Sequence, residues 1–259
     1  MKILITGHRG FIGQNMVKAL ADHDLTLYEW GDPRPKIQGQ DLVIHLGAIS
    51  STIERDVEKV MRQNYDFSKE LLYECHRWRV NFQYSSSASV YGLNIDFRET
   101  APLNPMSPYA WSKYLFDRFV STHSWSGIQV QGFRYFNVHG PHEDHKGDQS
   151  SPHHKFTHQA KTKGIIKLFE GSENYKRDFV PVSTVIDIHK KFFNVQETGV
   201  WNVGTGQATS FESVAKTIAE CNNAQIEYIP MPENVKAQYQ AYTCADLTKL
   251  RATLNENNG

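Results

Sequence analysis

The stretch Lys2–Gly13, KILITGHRGFIG, decides the fold of this 259-residue chain. A short apolar run is followed by Gly7, Gly10 and Gly13 in a GxxGxxG spacing, and an amphipathic stretch comes next. Glycines between a strand and a helix let the backbone approach a pyrophosphate at the positive helix N-terminus. A plain tight turn is the alternative, but the position between a first strand and a helix is the context that the motif requires. The stretch therefore predicts a dinucleotide site.

The first two-thirds of the chain alternate short β-rich runs with longer amphipathic stretches. The β-rich runs are KILITG, LTLYEW, DLVIHLGA, NFQYSSSASVYG and IQVQGFRYFNVHG, and the amphipathic ones are FIGQNMVKALADH, VEKVMRQNYDFSKELLYECHRW and SPYAWSKYLFDRFVSTHS. Strands that alternate with helices pair in parallel through right-handed crossovers. The sequence therefore predicts an α/β protein with a Rossmann-type doubly wound parallel sheet and a smaller C-terminal substrate-binding lobe.

This alternation loosens after Gly140, where a polar loop rich in histidine leads into shorter, mixed segments. We expect residues 1–140 to form a dinucleotide-binding Rossmann domain, to which residues 178–205 return. Residues 141–177 and 206–259 then form the substrate-binding lobe.

The composition is that of a compact globular protein. The 28 basic and 28 acidic side chains balance, which predicts neither nucleic acid nor a membrane surface as a partner. The N-terminus meets glycine, histidine and arginine too soon for a secretory signal, so we expect a cytoplasmic protein. Three widely spaced cysteines, Cys75, Cys221 and Cys244, do not resemble a disulfide framework. We expect all three to be buried, inert thiols.

Glu29 ends the run LTLYEW about 20 residues after the glycines, where an acid can hold a ribose hydroxyl of the dinucleotide. Asp32 lies nearby and offers the same chemistry. An ordinary exposed acid at a strand end is the alternative for Glu29.

Tyr109 and Lys113 are four residues apart in SPYAWSKYLFD and therefore share one face of a helix. A phenol has an ordinary pKa of about 10, but an adjacent ammonium and a cationic nicotinamide both favour the phenolate. Upstream, YSSSASVYG places hydroxyls at the carboxyl edge of the sheet, where open α/β folds bind ligands. Ser87 can then share a substrate hydroxyl with Tyr109, which moves the proton. A YxxxK spacing by itself also occurs as an ordinary surface pair.

The glycine loop, the serine strand end and the Tyr/Lys helix, in that order, resemble the extended short-chain dehydrogenase/reductase superfamily, which includes nucleotide-sugar epimerases and dehydratases. Within it, HLGAISST, NYDFSKELL, GFRYFNVHGPHEDHKG, LFEGSENYKRDFV and YQAYTCADLTKLRA are similar to stretches of the ADP-L-glycero-D-manno-heptose 6-epimerases. The resemblance covers nearly the whole chain. It implies a nucleotide-diphospho-sugar substrate and NADP or NAD as a tightly bound cofactor, and it allows a homo-oligomer.

Epimerases of this family pass a hydride from the sugar to the cofactor, let the ketone present its other face and return the hydride there. Such an inversion benefits from an acid/base on each side, because one fixed group cannot serve both hydroxyl orientations equally well. The resemblance matches these two groups to Tyr109 and Lys146. Ser87 and Lys113 complete the catalytic set that it implies.

The resemblance also assigns binding residues by matching position. Those for the cofactor are Gly7, Gly10, Phe11, Ile12, Gly13, Glu29, Leu46, Gly47, Ala48, Asn64, Tyr109 and Lys113. Those for the substrate are Ser87, Asn137, Val138, Lys146, Phe169, Glu170, Gly171, Ser172, Arg177 and Tyr239. An arginine such as Arg177 can bind a diphosphate through two donors, and an ion pair with Asp178 is its structural alternative.

The chain departs from the family pattern in two internal regions and at its end, where the family continues into a final helical segment. Between LTLYEW and DLVIHLGA the family has a further helix and strand, whereas here only GDPRPKIQGQ remains, so we expect the sheet to lack one β-α crossover. That loss should narrow the sheet and thin the wall around the adenine and ribose. In the loop that contains His145, Lys146 and Gly147, called the HKG loop below, Asp148 replaces a small hydroxyl residue. Lys155, shortly after it, replaces a histidine.

A metal site is the alternative function for the loop around Lys146. His139, His142 and His145 recur every third residue, but this spacing matches no closed zinc pattern. We therefore expect no metal there and assign the histidines to solvent or to the substrate lobe.

Three other functions compete with the heptose epimerase: another nucleotide-sugar epimerase, a dehydratase or decarboxylase of the same superfamily, and a non-catalytic cofactor-binding relative. Dehydratases and decarboxylases generally place an acid directly after the serine, where this chain has Ala88. A non-catalytic protein has no need for Tyr109, Lys113 and Lys146 together.

Overall fold

Six parallel strands form the central sheet of the protein, whose computed structural model describes residues 1–232 and 240–255. The strands are β1 (Lys2–Thr6), β2 (Asp24–Tyr28), β3 (Leu42–His45), β4 (Asn81–Ser87), β5 (Val130–Tyr135) and β9 (Gly199–Val203). They lie in the order β2-β1-β3-β4-β5-β9, and each neighbouring pair is parallel. This topology confirms the predicted doubly wound α/β fold.

Helices cover both faces of this sheet. The helix predicted over residues 57–78 consists of α2 (Val57–Val60), a π-helical turn (Met61–Asp66) and α3 (Phe67–Trp78). The other helices are α1 (Phe11–Ala19), α4 (Pro108–Thr122), α5 (Pro152–Lys163), α6 (Val182–Lys191), α7 (Phe211–Asn222) and α8 (Thr248–Thr253). Ser107 begins α4 because its hydroxyl accepts the Ala110 N–H and Pro108 suits the first helical position.

The core lies on both faces of the sheet because alternate residues of a strand point to opposite sides. In β1, Leu4 packs in the cluster that contains Phe67 of α3. Ile3 and Ile5 pack in the opposite cluster, with Met16 of α1. Burial on both sides explains the uninterrupted apolar run at the start of the chain.

The smaller lobe is built from short strands and two helices. Its strands are β6 (Asn137–His139), β7 (Ile165–Phe169), β8 (Lys176–Pro181), β10 (Ala208–Ser210) and β11 (Gln225–Ile229). They form a three-stranded sheet in the order β10-β8-β6 and a parallel pair of β11 with β7, and α5 packs against α7. Of residues 178–205, β9 lies in the central sheet and α6 packs against α1, whereas β8 belongs to the small sheet. The division into two domains stays a prediction.

The run IQVQGFRYFNVHG divides into two strands of different sheets. β5 ends at Tyr135, and β6 begins at Asn137. The Phe136 N–H donates to the Val203 carbonyl at 3.0 Å, so Phe136 is the corner at which the chain leaves the central sheet.

Residues 29–41 connect β2 directly to β3 without a helix or a strand. This confirms that one β-α crossover is lacking, and it leaves β2 at the edge of the sheet.

The three cysteines are free, but they are not all buried. Cys75 is buried, Cys244 is half-buried and Cys221 is exposed. The expectation of three buried thiols is therefore wrong, because Cys221 lies in the last turn of α7, where its side chain meets solvent.

None of the helices described in residues 1–232 and 240–255 is long and apolar enough to cross a membrane.

Candidate active site

The glycine turn between β1 and α1 forms a cradle without side chains. Gly7 adopts φ +72°, and a Cβ there would stand 2.5 Å from the Cα of Gly47. A Cβ on Gly13 would collide with the Gly7 carbonyl oxygen. Gly10 is the N-cap of α1 and brings no side chain to the first helical turn. Backbone N–H groups at such a helix start attract a pyrophosphate, so the cradle fits the predicted dinucleotide.

Glu29 lies against this cradle. Its Oε2 accepts the Arg9 N–H at 3.1 Å, and its side chain is 26% exposed. Asp32 is bound to the same segment: its Oδ2 accepts the Glu29 N–H at 2.9 Å, and its Oδ1 is 4.0 Å from the Arg9 guanidinium. Both acids therefore lie beside the glycine loop, and Glu29 is the one held by the loop backbone.

A cavity of about 100 Å³ opens between the glycine cradle and the end of β3. Its lining residues are Thr6, Gly7, Tyr28, Glu29, Trp30, Gly47, Ala48, Ile49, Gln63 and Phe67. Leu46, Gly47 and Ala48 follow β3 directly, and Phe11 and Ile12 open α1. The structure thus gathers the predicted cofactor residues of these segments around one turn.

Tyr109 and Lys113 on α4 face the end of β4. The Tyr109 hydroxyl faces Ser87, which lowers the pKa of the phenol against the larger effect of burial. The Lys113 Nζ lies 5.9 Å from the centroid of the Tyr109 ring, and it donates to the carbonyl oxygen of Ser85 at 2.7 Å and to its hydroxyl at 3.3 Å. The structure therefore brings three of the four predicted catalytic residues together at the carboxyl edge of the sheet.

Burial determines the protonation of this group. It raises the pKa of Tyr109, and the nearby Ser87 hydroxyl opposes that shift. Burial also lowers the pKa of Lys113 to about 8, against the attraction of Asp117. The Lys113 ammonium donates to Ser85 and not to Tyr109. The expected stabilisation of a Tyr109 phenolate by this lysine is therefore not observed. Tyr109 is a phenol at neutral pH.

Asp117, one turn after Lys113, is a buried residue that the sequence analysis missed. Its carboxylate accepts hydrogen bonds from Ser86 Oγ at 2.9 Å, Tyr84 OH at 3.1 Å and Arg134 Nε at 2.9 Å. The available signal was its i+4 position after the lysine, on the face of α4 that packs on the sheet.

A buried chain of hydrogen bonds begins at the glycine turn and was also missed. Ser68 Oγ donates to the Asn64 carbonyl, so it accepts from Nε2–H of His45 at 2.8 Å. The Nδ1 of His45 then accepts from the Thr6 hydroxyl at 2.6 Å. Burial, with a smaller effect from Lys113, lowers the pKa of His45 to about 3. His45 is therefore neutral, and its tautomer is fixed by its two partners.

This series of hydrogen bonds continues from Asn64 to α4, the helix that carries Tyr109. Asn64 lies in the π-helical turn and exchanges two hydrogen bonds with the backbone of Ile49, at 2.8 and 2.9 Å. Its Nδ2 also donates to Ser112 Oγ at 3.1 Å, and that hydroxyl donates to the Tyr109 carbonyl at 2.7 Å. A π-helical turn often marks a functional site, and here it places one amide between the cofactor cradle and α4.

Lys146 lies in the loop after β6, next to the start of α1. Its Nζ is 5.0 Å from the centroid of the Phe11 ring and 3.8 Å from Glu143 Oε2. Burial lowers the pKa of Lys146. The two departures from the family pattern contact each other, because Lys155 Nζ donates to the Asp148 carbonyl at 2.7 Å.

The histidines of this region include one stacked pair. His139 and His153 lie with ring centroids 3.8 Å apart and planes within 9°. Burial lowers the pKa of both, to about 4 for His153. Within the described part of the chain, no group of three or more His, Cys, Asp or Glu side chains is placed to hold a metal ion.

The predicted substrate residues of the lobe lie on short strands or in the turn that follows one of them. Asn137 and Val138 form most of β6, and Phe169 ends β7. Glu170, Gly171 and Ser172 follow directly, with Gly171 at φ +76°. Tyr239 lies outside the described residues.

Arg177 on β8 is buried. Its guanidinium lies 5.5 Å from the Phe211 ring and donates to the Lys176 carbonyl at 2.9 Å. The Asp178 carboxylate accepts from Thr205 N and Oγ1 at 2.7 Å each, and from backbone N–H groups of residues 206 and 245.

A cavity of about 320 Å³ lies in the lobe beside Phe169 and Ser172. The Ser172 hydroxyl is buried and has no hydrogen-bond partner among the described residues. The lining residues are Pro152, Lys155, Phe156, Gln159, Lys167, Leu168, Phe169, Ser172, Tyr175, Phe211, Ile229 and Met231. Aromatic walls with one unpaired hydroxyl suit a flat, partly polar group.

Comparisons with known proteins agree with this geometry. The chain is similar to the ADP-L-glycero-D-manno-heptose-6-epimerase of Helicobacter pylori, with a TM-score of 0.87 and 27% identity over 99% of this chain and 90% of that chain. It is also similar to a Thermus thermophilus UDP-glucose 4-epimerase in complex with NAD, with a TM-score of 0.80 and 26% identity over 97% and 92% of the two chains. A Thermotoga maritima UDP-glucose 4-epimerase shares the fold at a TM-score of 0.83 and 24% identity, over 98% and 93%.

A family model described as the NAD dependent epimerase/dehydratase family matches residues 34–204. Because that match spans more than half of the sequence, and because it contains β4, the Tyr109/Lys113 helix and the HKG loop, the chain belongs to the NAD dependent epimerase/dehydratase family.

Proposed function

We propose that the protein is an NAD-dependent nucleotide-sugar epimerase that inverts the sixth carbon of an ADP-heptose. The observation that carries this proposal is the position of Tyr109, which faces Ser87 and is followed by the buried Lys113, at the sheet edge that also holds the glycine cradle. The choice of an ADP-heptose rests on the likeness to the Helicobacter pylori enzyme.

The cofactor cradle supports NAD rather than NADP. The Glu29 carboxylate is fixed on the Arg9 N–H and lines the cavity beside the cradle. It can accept hydrogen bonds from ribose hydroxyls, whereas a 2′-phosphate at this place would face a negative charge. Titration of the protein with NAD and NADP, followed by tryptophan fluorescence, tests the assignment. Glu29→Ser should reduce the ratio of NAD affinity to NADP affinity, whereas Asp22→Ser, at an exposed position outside the cavity, is the control that should keep it.

Two acid/bases act on the sugar in this proposal. Tyr109 gives or takes a proton at its hydroxyl, with Ser87 sharing the substrate oxygen. Lys146 does the same at its amine from the side of the reacting carbon that Tyr109 does not serve, and its lowered pKa suits a group that must release its proton near neutral pH. When bound, the cofactor supplies a hydride acceptor that becomes the hydride donor.

We assign the nucleoside of the substrate to the cavity beside Phe169 and Ser172. The aromatic walls can pack against a purine, and the unpaired Ser172 hydroxyl can bond to its edge or to the ribose. Arg177, buried on β8, is proposed to bind the diphosphate. In this assignment residues 1–140 with 178–205 hold the cofactor, and the rest of the chain holds the sugar nucleotide.

Proton NMR of ADP-D-glycero-D-manno-heptose in deuterated buffer, with the protein and NAD or NADP, tests the function. Conversion to the L-glycero epimer without deuterium at the inverted carbon is the expected result, because a returned hydride brings no solvent deuterium. Absence of conversion, with NAD binding shown separately, would overturn the ADP-heptose assignment, and UDP-glucose is then the first alternative substrate.

Variants test whether Tyr109 and Lys146 act as acid/bases or only support the fold. Tyr109→Phe and Lys146→Met should each lower kcat by roughly a hundredfold or more, the usual weight of a general acid/base. Tyr114→Phe on the same helix and Lys161→Met on α5 are matched controls that should keep kcat. Wild-type turnover in the Tyr109→Phe, Lys146→Met double variant would refute the mechanism.

A further inference from the structure

Glu143 is a fully buried carboxylate in the loop that carries Lys146. Its side chain is 0% exposed. It accepts the Gly140 N–H at 3.1 Å, the Ser151 N–H at 2.6 Å and the Ser151 hydroxyl at 2.7 Å. All three partners donate, which matches an ionised carboxylate, a group that only accepts.

These hydrogen bonds close residues 140–151 into a loop. Gly140 follows β6 directly. Ser151 is the N-cap of α5, where its hydroxyl accepts the His154 N–H. The backbone between them is strained at His142, which has φ +70° without being a glycine. Gly147, at φ +49° and ψ −124°, makes a turn that a glycine adopts readily. A strained loop persists only where its surroundings hold it, and Glu143 binds both of its ends.

The same carboxylate faces the amine of Lys146. The Lys146 N–H donates to the Glu143 carbonyl at 2.9 Å, and Nζ lies 3.8 Å from Oε2 with the lysine side chain 22% exposed. Burial lowers the pKa of Lys146, Glu143 raises it, and Lys155 on α5 adds to the lowering. The stacked rings of His139 and His153 lie close enough to Glu143 for its charge to raise the pKa of each, against the larger effect of burial. The uncharged ring of Phe11 on α1 lies against the Lys146 amine.

We propose that Glu143 is a positioning residue of the active site, which holds the Lys146 loop closed and keeps the Lys146 amine protonated until it transfers its proton. The role in proton transfer rests on the proposed epimerase function, whereas the coupling between the two side chains does not. Glu143 fixes the place and the charge of Lys146 through one buried group.

The coupling can be measured without any substrate. Competitive labelling of the intact protein with acetic anhydride over a pH series, read by peptide mass spectrometry, reports the fraction of Lys146 that is deprotonated. In Glu143→Gln the labelling midpoint of Lys146 should fall by roughly one to two pH units, the usual effect of losing an opposite charge within about 4 Å. At a fixed pH below the midpoint, the labelling rate should rise at least about tenfold.

Asp144→Asn is the matched control, since it removes one negative charge from the adjacent residue, whose side chain is 92% exposed. Its labelling midpoint should stay at the wild-type value. A midpoint in Glu143→Gln equal to that of wild type and Asp144→Asn would overturn the inference. If Glu143→Gln does not fold, Glu143→Asp replaces it: the carboxylate is then one methylene farther away, a smaller fall in the same direction is expected, and an unchanged midpoint is again the refuting result.

Activity gives the second readout. In the NMR assay, the alkaline limb of the activity–pH profile should move to lower pH in Glu143→Gln, by the same number of pH units as the labelling midpoint. An equal loss of activity at every pH would instead mean a purely structural role. Absence of wild-type turnover refutes the proposed function but leaves the labelling result valid. Unchanged labelling with normal turnover refutes only the role of Glu143.

Discussion

Two buried neutral histidines should make the protein lose stability steeply in mild acid. His45 is bonded between Thr6 and Ser68, and His189 lies between Tyr135 OH at its Nε2 and Gln83 Oε1 at its Nδ1, 2.8 Å away. Burial lowers the pKa of each to about 3, against about 6.5 in an unfolded chain. The unfolded state therefore binds more protons at any pH between these values, and stability falls as pH falls.

The size of the loss follows from these two pKa values. The contribution of each histidine is fully present above about pH 6.5 and is lost toward pH 3, at about 1.4 kcal/mol per pH unit within that window. At pH 5 each should have cost about 2 kcal/mol, so the pair should remove about 4 kcal/mol from the free energy of unfolding. Most domains have only about 5–15 kcal/mol in total.

Urea unfolding at pH 7, 6 and 5, followed by circular dichroism, measures this slope in wild type and in His189→Gln. The variant loses one titrating group, so its slope should be shallower than that of wild type by about 1.4 kcal/mol per pH unit. His158→Gln, at an exposed position of α5, should keep the wild-type slope. Equal slopes in wild type and His189→Gln, or NMR titration of the buried rings near pH 6.5, would refute the reasoning.

Two further predictions concern the cradle and the back of α4. Gly13→Ala should weaken NAD binding at least about tenfold in a fluorescence titration, because the added methyl collides with the Gly7 carbonyl; Gly10→Ala is the milder control, with its Cβ 3.3 Å from the same oxygen, and equal affinities for the two variants would contradict the prediction. Asp117→Asn should lower the free energy of unfolding by about 3–5 kcal/mol, because it leaves the buried Arg134 without its charge partner; Asp96→Asn, in an exposed pair, should cost far less, and a loss no larger than that of this control would argue against it.

Local patterns predicted the parts of the site that short spacings encode. The GxxGxxG spacing predicted the glycine cradle, because the strand, the glycine turn and the start of the helix follow one another within residues 2–13. The four-residue separation of Tyr109 and Lys113 gave their common helix face. The helix over residues 57–78 was predicted with its limits, although nothing in its pattern indicates the π-helical turn inside it.

The missed residues act through partners that are distant in sequence. His45 meets Thr6 and Ser68, which are 39 and 23 residues away, and Asp117 meets Arg134 across two elements. In a single sequence these side chains read as polar interruptions of a strand or helix, because their partners become neighbours only when the sheet forms. The same reason explains Lys113, whose ammonium is directed at Ser85 rather than at the phenol one turn away.

The short connection between β2 and β3 shows how the fold tolerates a missing crossover. A helix there would cover the sheet beside β1 and β2, and its loss should expose that face. Instead Ile37 is buried in the cluster that contains Leu4 and Phe67, so one side chain of the linker fills part of the space. Trp30 packs edge-on against the Phe67 ring at 5.3 Å, and the Arg34 guanidinium lies 5.1 Å from the same ring.

Arg34 also donates to Glu70 at 2.7 Å, which ties the linker to α3. The linker is thus anchored on the helix whose N-terminal extension carries Asn64 and Gln63, and Gln63 and Trp30 line the cavity beside Glu29. Part of the wall of this cavity is therefore made of linker side chains. If the cofactor binds as proposed, we expect the affinity for its adenosine half to depend on contacts within the linker. The chemistry proposed for Tyr109 should depend instead on α4 and the end of β4, which the missing crossover leaves in place.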